Sequence, residues 1–229
     1  KAVENGDAEY IPGLFQGVFT GVESKRKKSL SLENQHKLMT VKVESEVLRE
    51  TQLVVCLLFQ YAGMSFVDFA HLKERNIKNG ILDYNRQKTG TPMRLEILDT
   101  AELMRKELMG DKKPASGYLF PFLSGTKTGY EAYLEYNAAL SRFNRNLKAL
   151  KKAAGIASDV TSYTIRHSFA MALKEQNVPI EMISELLGHK SIKTTQIYLR
   201  SFSLEKMTEV NSTCFCLLYT SPSPRDRSL

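Results

Sequence analysis

The chain has 229 residues, of which 42% are hydrophobic and 25% are charged, and no apolar run reaches the roughly 18 residues that a membrane span needs. We therefore expect a folded domain without a membrane partner, and three cysteines without a four-ligand zinc pattern indicate a reducing, cytoplasmic setting. The 32 basic side chains outnumber the 25 acidic ones, and this net charge of +7 favours an anionic partner, most commonly nucleic acid.

The beginning of the chain has no lasting hydrophobic period. Residues 1–23 contain turn-forming residues, and without an initiator Met we expect them to continue a preceding unit. The segment SKRKKS (24–29) is a basic linker, either a solvated connector or a contact to phosphate groups. In the second case four cations would make the contact: Lys25, Arg26, Lys27 and Lys28.

Three helices are predicted next. Ser31 is placed to cap a short helix, and a second helix covers about 45–62 and ends at Gly63. The segment SFVDFAHLKERNI (65–77) has apolar residues at spacings of three, which predicts a third helix.

The segment ILDYNRQKTGTPMRLEIL (81–98) is the clear hairpin of the sequence. Apolar and polar residues alternate on both sides of a turn at Thr89-Gly90. Lys88 is therefore expected at the rim of the hairpin, where it projects into solvent.

The rest of the chain is predicted to be helical, over 99–110, 130–153, 161–176 and 179–188. The outer side of the longest helix carries a basic stripe: Arg142, Arg145, Lys148, Lys151 and Lys152. The tail 211–229 is rich in Ser and Pro without a period, so we expect it to be disordered or artefactual.

Lys88 and two later segments, TSYTIRHSFA (161–170) and LGHKSIKTTQIY (187–198), together supply an ammonium, a guanidinium, imidazoles and a phenol. Guanidinium groups bind phosphate oxygens bidentately, and fixed cations stabilise most where negative charge develops. A tyrosine is a poor nucleophile at its usual pKa of about 10, but surrounding cations favour the phenolate. This set is typical of a displacement at an anionic oxygen centre.

The segments YTIRHSFA (163–170) and LLGHKSIKTTQIY (186–198) resemble the catalytic core of the tyrosine recombinases, or phage-type integrases. That family's second motif is His-x-x-Arg-His, and its third is Leu-Gly-His with the tyrosine nine residues further on. Arg166 matches the second motif, and His189 and Tyr198 have the spacing of the third. The resemblance covers about residues 24–205.

The resemblance implies a mainly α fold with a small antiparallel β-sheet (α+β), the tyrosine recombinase catalytic-domain fold. It implies that Tyr198 attacks the scissile phosphate and forms a 3′-phosphotyrosyl bond, while Lys88 protonates the leaving 5′-oxygen. Arg166 and His189 would hold the nonbridging oxygens, and His167 would support the pocket. Because the covalent link conserves the phosphodiester energy, neither a metal nor another cofactor is implied.

The sequence departs from the family pattern in two places. Tyr163 stands where the second motif has its first histidine, although a phenol can still hydrogen-bond a phosphate. In the first motif, GMSFVD has Ser65 where the family has an arginine, while Asp68 keeps the acidic position. The sequence shares this serine with a branch of integrases on conjugative transposons. We expect Arg86 or Arg94, both in the hairpin, to compensate partly for the missing guanidinium.

The resemblance also implies the domain organisation and the partners. Residues 24–210 would form the catalytic domain, and residues 1–23 would end a truncated core-binding domain and linker. Family members act on double-stranded DNA as tetramers on synapsed sites, in the integration or excision of mobile elements.

Structural interpretations and rival functions remain open. Ser65 suits a helix cap, Arg166 an ion pair, and Tyr163 a partly buried core position. A non-catalytic helix-turn-helix DNA-binding protein would place Lys190 and Lys193 against phosphates. A decayed integrase fragment is the third alternative.

Overall fold

The computed structural model describes residues 29–114, 117–199, 208 and 212. Within these ranges the chain is mainly helical with one three-stranded antiparallel sheet, which confirms the predicted fold class. The helices are α1 (Leu32–Thr40), α2 (Glu46–Gln60), α3 (Phe66–Ala70), α4 (Asp99–Met109), α5 (Gly129–Ala153), α6 (Ser162–Glu175), α7 (Ile180–Leu186) and α8 (Ile192–Tyr198). The strands, in their order across the sheet, are β1 (Ile77–Lys78), β2 (Ile81–Asn85) and β3 (Pro92–Glu96). The predictions for residues 1–28 and for the tail, except Ser212, lie outside the described residues.

Helix α2 is the centre of the fold. Its residues from Thr51 to Leu58 are all buried, on every side of the helix. A helical stretch that is buried on every side needs neighbours on all sides, and α1, α4, α5 and α6 contact this helix. No helix in the described part of the chain is long and apolar enough to cross a bilayer.

The predicted helix 65–77 is wrong beyond its first turns. Helix α3 ends at Ala70, and a single 3-10 turn (Glu74–Asn76) and β1 follow. The chain leaves the helix because the carbonyl of Leu72 accepts a hydrogen bond of 2.7 Å from the amide of Leu119, and Lys73 pairs with Tyr118. The apolar spacing misled the prediction because Leu72 is buried just as a helical residue would be.

The hairpin has the predicted alternation, and its register pairs Leu82 with Leu95 and Tyr84 with Met93. Strand β2 ends at Asn85, and Lys88 lies exposed in the turn that follows, at the predicted rim of the hairpin. The amide of Gly90 donates to the carbonyl of Arg86 at 2.8 Å and closes the turn between the strands.

Helix α5 has the predicted basic outer face, with one exception. Four of its cations are exposed: Arg142, Arg145, Lys148 and Lys152. Lys151 instead donates to the carbonyl of Ser158 at 2.8 Å and lies 3.5 Å from Asp159, so it closes the loop before α6.

Helices α6, α7 and α8 share a second, smaller core. Its buried members are Ala170, Ile183, Leu187 and Leu199. The ammonium of Lys174 on α6 donates to the carbonyl of Leu199, which holds the C-terminal end of α8. These contacts attach the helix that carries Tyr198 to the rest of the domain.

Candidate active site

The carboxylate of Asp68, on α3, accepts three hydrogen bonds from residues of the predicted site and its surroundings. The Ser65 hydroxyl donates to Oδ2 at 2.5 Å, and the main-chain amide of Gln87 donates to Oδ1 at 2.7 Å. Nε of Arg86 lies 3.5 Å from Oδ2. Ser65 also caps α3 by accepting from the amide of Asp68, so its structural interpretation as a helix cap is correct. The hairpin turn and α3 are thereby fixed to each other.

Arg86 connects this carboxylate to the end of α7. Its side chain is 8% exposed, and Nη1 donates to the carbonyl of Gly188 at 2.9 Å. A guanidinium presents several donors in one plane, so a single side chain can contact both groups. Arg94 lies elsewhere, because its strand position is exposed and pairs with Asp83. Only Arg86 of these two hairpin arginines therefore contacts the first-motif carboxylate.

Arg166 reaches the same end of α7 from α6. The side chain is buried, Nη1 donates to the carbonyl of Gly63 at 2.8 Å, and Nη2 donates to the carbonyl of Leu187. Arg86 and Arg166 therefore contact consecutive carbonyls, those of Gly188 and Leu187. The two guanidinium groups converge on one short stretch of backbone.

That stretch ends α7 with a left-handed residue. Gly188 has φ +60°, its amide donates to the carbonyl of Glu185, and the amide of His189 donates to the carbonyl of Ser184. A Cβ on Gly188 would lie 2.4 Å from Sδ of Met93 and 2.7 Å from a side-chain carbon of Arg86. Glycine is therefore required both by the backbone conformation and by the close packing of the hairpin.

The ring of His189 points to α8. Its Nδ1 lies 2.8 Å from Oγ1 of Thr195, a fully buried residue. Tyr198 ends α8 one helical turn after Thr195, and its side chain is outside the described part of the structure. His189 is thus hydrogen-bonded to the helix that ends at Tyr198, through Thr195.

The other predicted residues lie in the hairpin turn, on α6 and around the start of α8. Lys88 is exposed in the hairpin turn, directly after Gln87. His167 is buried on α6 beside Arg166, whereas Tyr163 is 48% exposed. The interpretation of Tyr163 as partly buried core is therefore wrong: it lies in the first turn of α6 and faces out. Lys190 and Lys193 are exposed around the start of α8.

Tyr84, which was not predicted as a site residue, lies within the charged cluster. Burial raises the pKa of its phenol, the Asp68 carboxylate raises it further, and Arg166 and Arg86 oppose the shift. This phenol therefore stays neutral beside the carboxylate and both guanidinium groups. The alternating hairpin pattern showed that Tyr84 is buried, but nothing in the sequence showed what it is buried against.

Residues 28–205 match the phage integrase family along most of the chain. The chain belongs to this family. The phage integrase family match also covers every described element of the site.

Curated relatives agree with this assignment. The chain is 32% identical over 177 residues to tyrosine recombinase XerA of Pyrococcus furiosus, a match that covers 76% of this chain and 57% of XerA. It is 52% identical over 54 residues to tyrosine recombinase XerD of Lacticaseibacillus casei, covering 24% of this chain and 18% of XerD. The chain thus matches little more than half the length of the one relative and a fifth or less of the other.

A solved structure shows the same fold at lower sequence identity. The Tn1549 transposon integrase, in complex with a circular intermediate DNA, aligns with a TM-score of 0.64 at 15% identity. The alignment covers 92% of this chain and 74% of that integrase. The described elements of this chain therefore have the fold of that integrase.

Proposed function

We propose that this chain is the catalytic part of a site-specific recombinase that cleaves and rejoins DNA strands through Tyr198. The observation that supports the proposal most is the convergence of Arg86 and Arg166 on the two carbonyls directly before His189, next to the helix that ends in Tyr198. Cationic donors that are fixed before the reaction stabilise the negative charge that develops on phosphate oxygens.

The proposed reaction is a transesterification at a DNA phosphate. The phenol of Tyr198 loses its proton to solvent, its oxygen bonds to phosphorus, and the bond from phosphorus to the 5′-oxygen breaks. Lys88, which is exposed on the hairpin turn, gives its proton to that leaving oxygen. Attack by a 5′-hydroxyl on the phosphotyrosyl bond reverses the step and joins a strand, so no energy source is consumed.

Arg86 is the proposed substitute for the arginine that Ser65 replaces. The carboxylate of Asp68 contacts both Arg86 and Ser65. A guanidinium therefore reaches Asp68 from the hairpin rather than from α3. Arg94, the other candidate, is exposed beside Asp83 and lines a different cleft of about 460 Å³ with Met182 and Glu185. The contacts therefore favour Arg86.

Double-stranded DNA is the proposed partner. The proposed role of the protein is the integration or excision of a mobile element in the cytoplasm. The Tn1549 integrase is in complex with DNA, and exposed cations lie on α5 and beside α8 of this chain. Because the chain matches only part of its relatives' length, we expect weak DNA binding by the chain alone and propose that the whole protein acts as a tetramer.

A non-catalytic DNA-binding protein is the second candidate. Helix α7, its tight turn and α8 form a helix-turn-helix, and Lys190 and Lys193 are exposed there. This function makes no use of Tyr198, so it predicts that the Tyr198→Phe substitution changes nothing.

The test uses nicked DNA duplexes with random sequence around the nick. When the strand is cut just 3′ of the scissile phosphate, the short leaving piece diffuses away and the covalent intermediate accumulates. Complexes that survive denaturation are isolated and the attached DNA is sequenced, which also identifies the target. The proposal expects enriched sequences with the wild type and none with Tyr198→Phe. Binding to duplex DNA without any covalent product would support the second candidate instead.

A further inference from the structure

Helix α8 carries a polar side chain where an apolar one is expected. Of its side chains that the structure describes, residues 192–196, four are exposed and Thr195 is completely buried. A buried hydroxyl without a partner is costly, so the residue at this position needs one. The partner of Thr195 is Nδ1 of His189 at 2.8 Å.

The main chain of His189 is fixed independently of this contact. Its amide donates to the carbonyl of Ser184, and the two preceding carbonyls accept from Arg166 and Arg86. What remains to be set is the rotation of the imidazole ring and the position of its proton. The hydrogen bond at one ring nitrogen decides which tautomer is present.

We propose that Thr195 is a positioning residue for His189, with its hydroxyl donating to Nδ1 so that Nε2 carries the proton and donates to the scissile phosphate. In a neutral imidazole only one nitrogen bears hydrogen, and a donor at Nδ1 places it on Nε2. This inference rests on the proposed role of Tyr198 and His189 in strand cleavage.

The same hydrogen bond places the nucleophile's helix. Thr195 and Tyr198 are three residues apart, so they lie on neighbouring turns of one helix. Lys174 holds the carbonyl of Leu199 at the other end. The hydroxyl of Thr195 therefore links the imidazole of His189 to the backbone of the helix that ends at Tyr198.

The first test compares Thr195→Val, which removes the hydroxyl at nearly constant shape, with Thr195→Ser, which keeps it. The measured quantity is the single-turnover rate of covalent complex formation on the nicked duplex selected by the wild type. We expect Thr195→Val to be slower by about tenfold and Thr195→Ser to recover most of the rate. Thr194→Val is the matched control, since Thr194 is the exposed neighbour on the same helix, and its rate should change by less than about twofold. A wild-type rate in Thr195→Val would overturn the inference.

A double-mutant cycle separates positioning from packing. If Thr195 acts through His189, Thr195→Val causes no further loss in a His189→Ala background. An undiminished loss in that background would show that the threonine matters only for the fold.

A third measurement does not depend on activity. The ¹⁵N shifts of histidine rings report which nitrogen is protonated, and the chain has only 4 histidines to assign. We expect His189 in the wild type to hold its proton on Nε2, and Thr195→Val to move it toward an equal mixture. A proton on Nδ1 in the wild type would refute the inference even if cleavage occurs. Absent cleavage with the expected shifts would refute only the proposed function.

Discussion

Replacing Arg86 with alanine tests the proposal that this hairpin arginine takes the place of the family's first-motif arginine. The guanidinium is almost fully buried and bridges the Asp68 carboxylate and the Gly188 carbonyl. The loss of one fixed donor to a developing negative charge costs about 3 to 4 kcal/mol of transition-state stabilisation, or roughly a factor of 10² to 10³ in rate. We expect Arg86→Ala to slow covalent complex formation by this factor.

Stability must be measured together with the rate, because the substitution also leaves a buried carboxylate with fewer partners. Removing one member of a buried ion pair costs about 3 to 5 kcal/mol. Asp68 keeps its bonds to Ser65 and to the Gln87 amide, and the Arg86 contact is long at 3.5 Å, so we expect the lower end of that range. Urea unfolding of each variant shows whether the protein is folded under the conditions of the cleavage assay.

Arg94→Ala is the matched control for this experiment. Arg94 is an exposed arginine of the same hairpin, so its loss should change the free energy of unfolding by less than about 0.5 kcal/mol and the rate by less than about twofold. Wild-type cleavage by both Arg86→Ala and Arg94→Ala would show that neither arginine replaces the missing one. A rate loss confined to Arg94→Ala would show that the wrong arginine was chosen.

Three further predictions concern stability and DNA binding. Gly188→Ala should destabilise the fold by about 2 to 4 kcal/mol in urea unfolding, because it adds a clash with the hairpin to the backbone strain at φ +60°. Gly80→Ala, at φ +74° with open space around it, should be destabilised by the backbone strain alone. Burial raises the pKa of the Cys56 thiol from 9.0 to about 11, so the contribution of this thiol to stability is complete below pH 9 and is lost toward pH 11. The thermal midpoint should therefore fall less steeply between pH 9 and pH 11 in Cys56→Ala than in the wild type, and an unchanged slope would contradict this. Replacing Arg145 and Lys148 by alanine should make the plot of the logarithm of the DNA association constant against the logarithm of salt concentration less steep, by about 0.9 for each phosphate that these side chains neutralise. An unchanged slope would exclude the α5 face from the DNA interface.

The sequence predicted the helices well where one face is apolar over several turns, as in α5. It failed at 65–77, because the buried Leu72 continues the apolar spacing although the main chain has already left the helix to pair with residues 118 and 119. Periodicity reports burial, and burial is common to both conformations. Pairing between distant segments has no such local pattern.

For the candidate site, motif spacing named Arg166, His189 and Tyr198 but did not predict the hydrogen bonds that Arg166 and His189 make. Thr195 was missed because a threonine in an exposed helix has no pattern that marks it as buried. Its distance of one helical turn from Tyr198 was the available signal. Arg86 was named only as one of two candidates, although the alternation that buries Leu82 and Tyr84 continues to Arg86, whereas Arg94 is on the exposed face of β3.

The bonds of Asp68 explain why Ser65 need not be a defect. Oδ2 accepts from both the Ser65 hydroxyl and Arg86, so a short side chain at position 65 leaves the carboxylate accessible to the hairpin arginine. An arginine at each of the two positions would compete for the same oxygen. We therefore expect Ser65→Arg alone to add little to the cleavage rate, but to restore much of it when combined with Arg86→Ala. A decayed enzyme would behave in the opposite way, with activity appearing in the Ser65→Arg single variant from an inactive wild type.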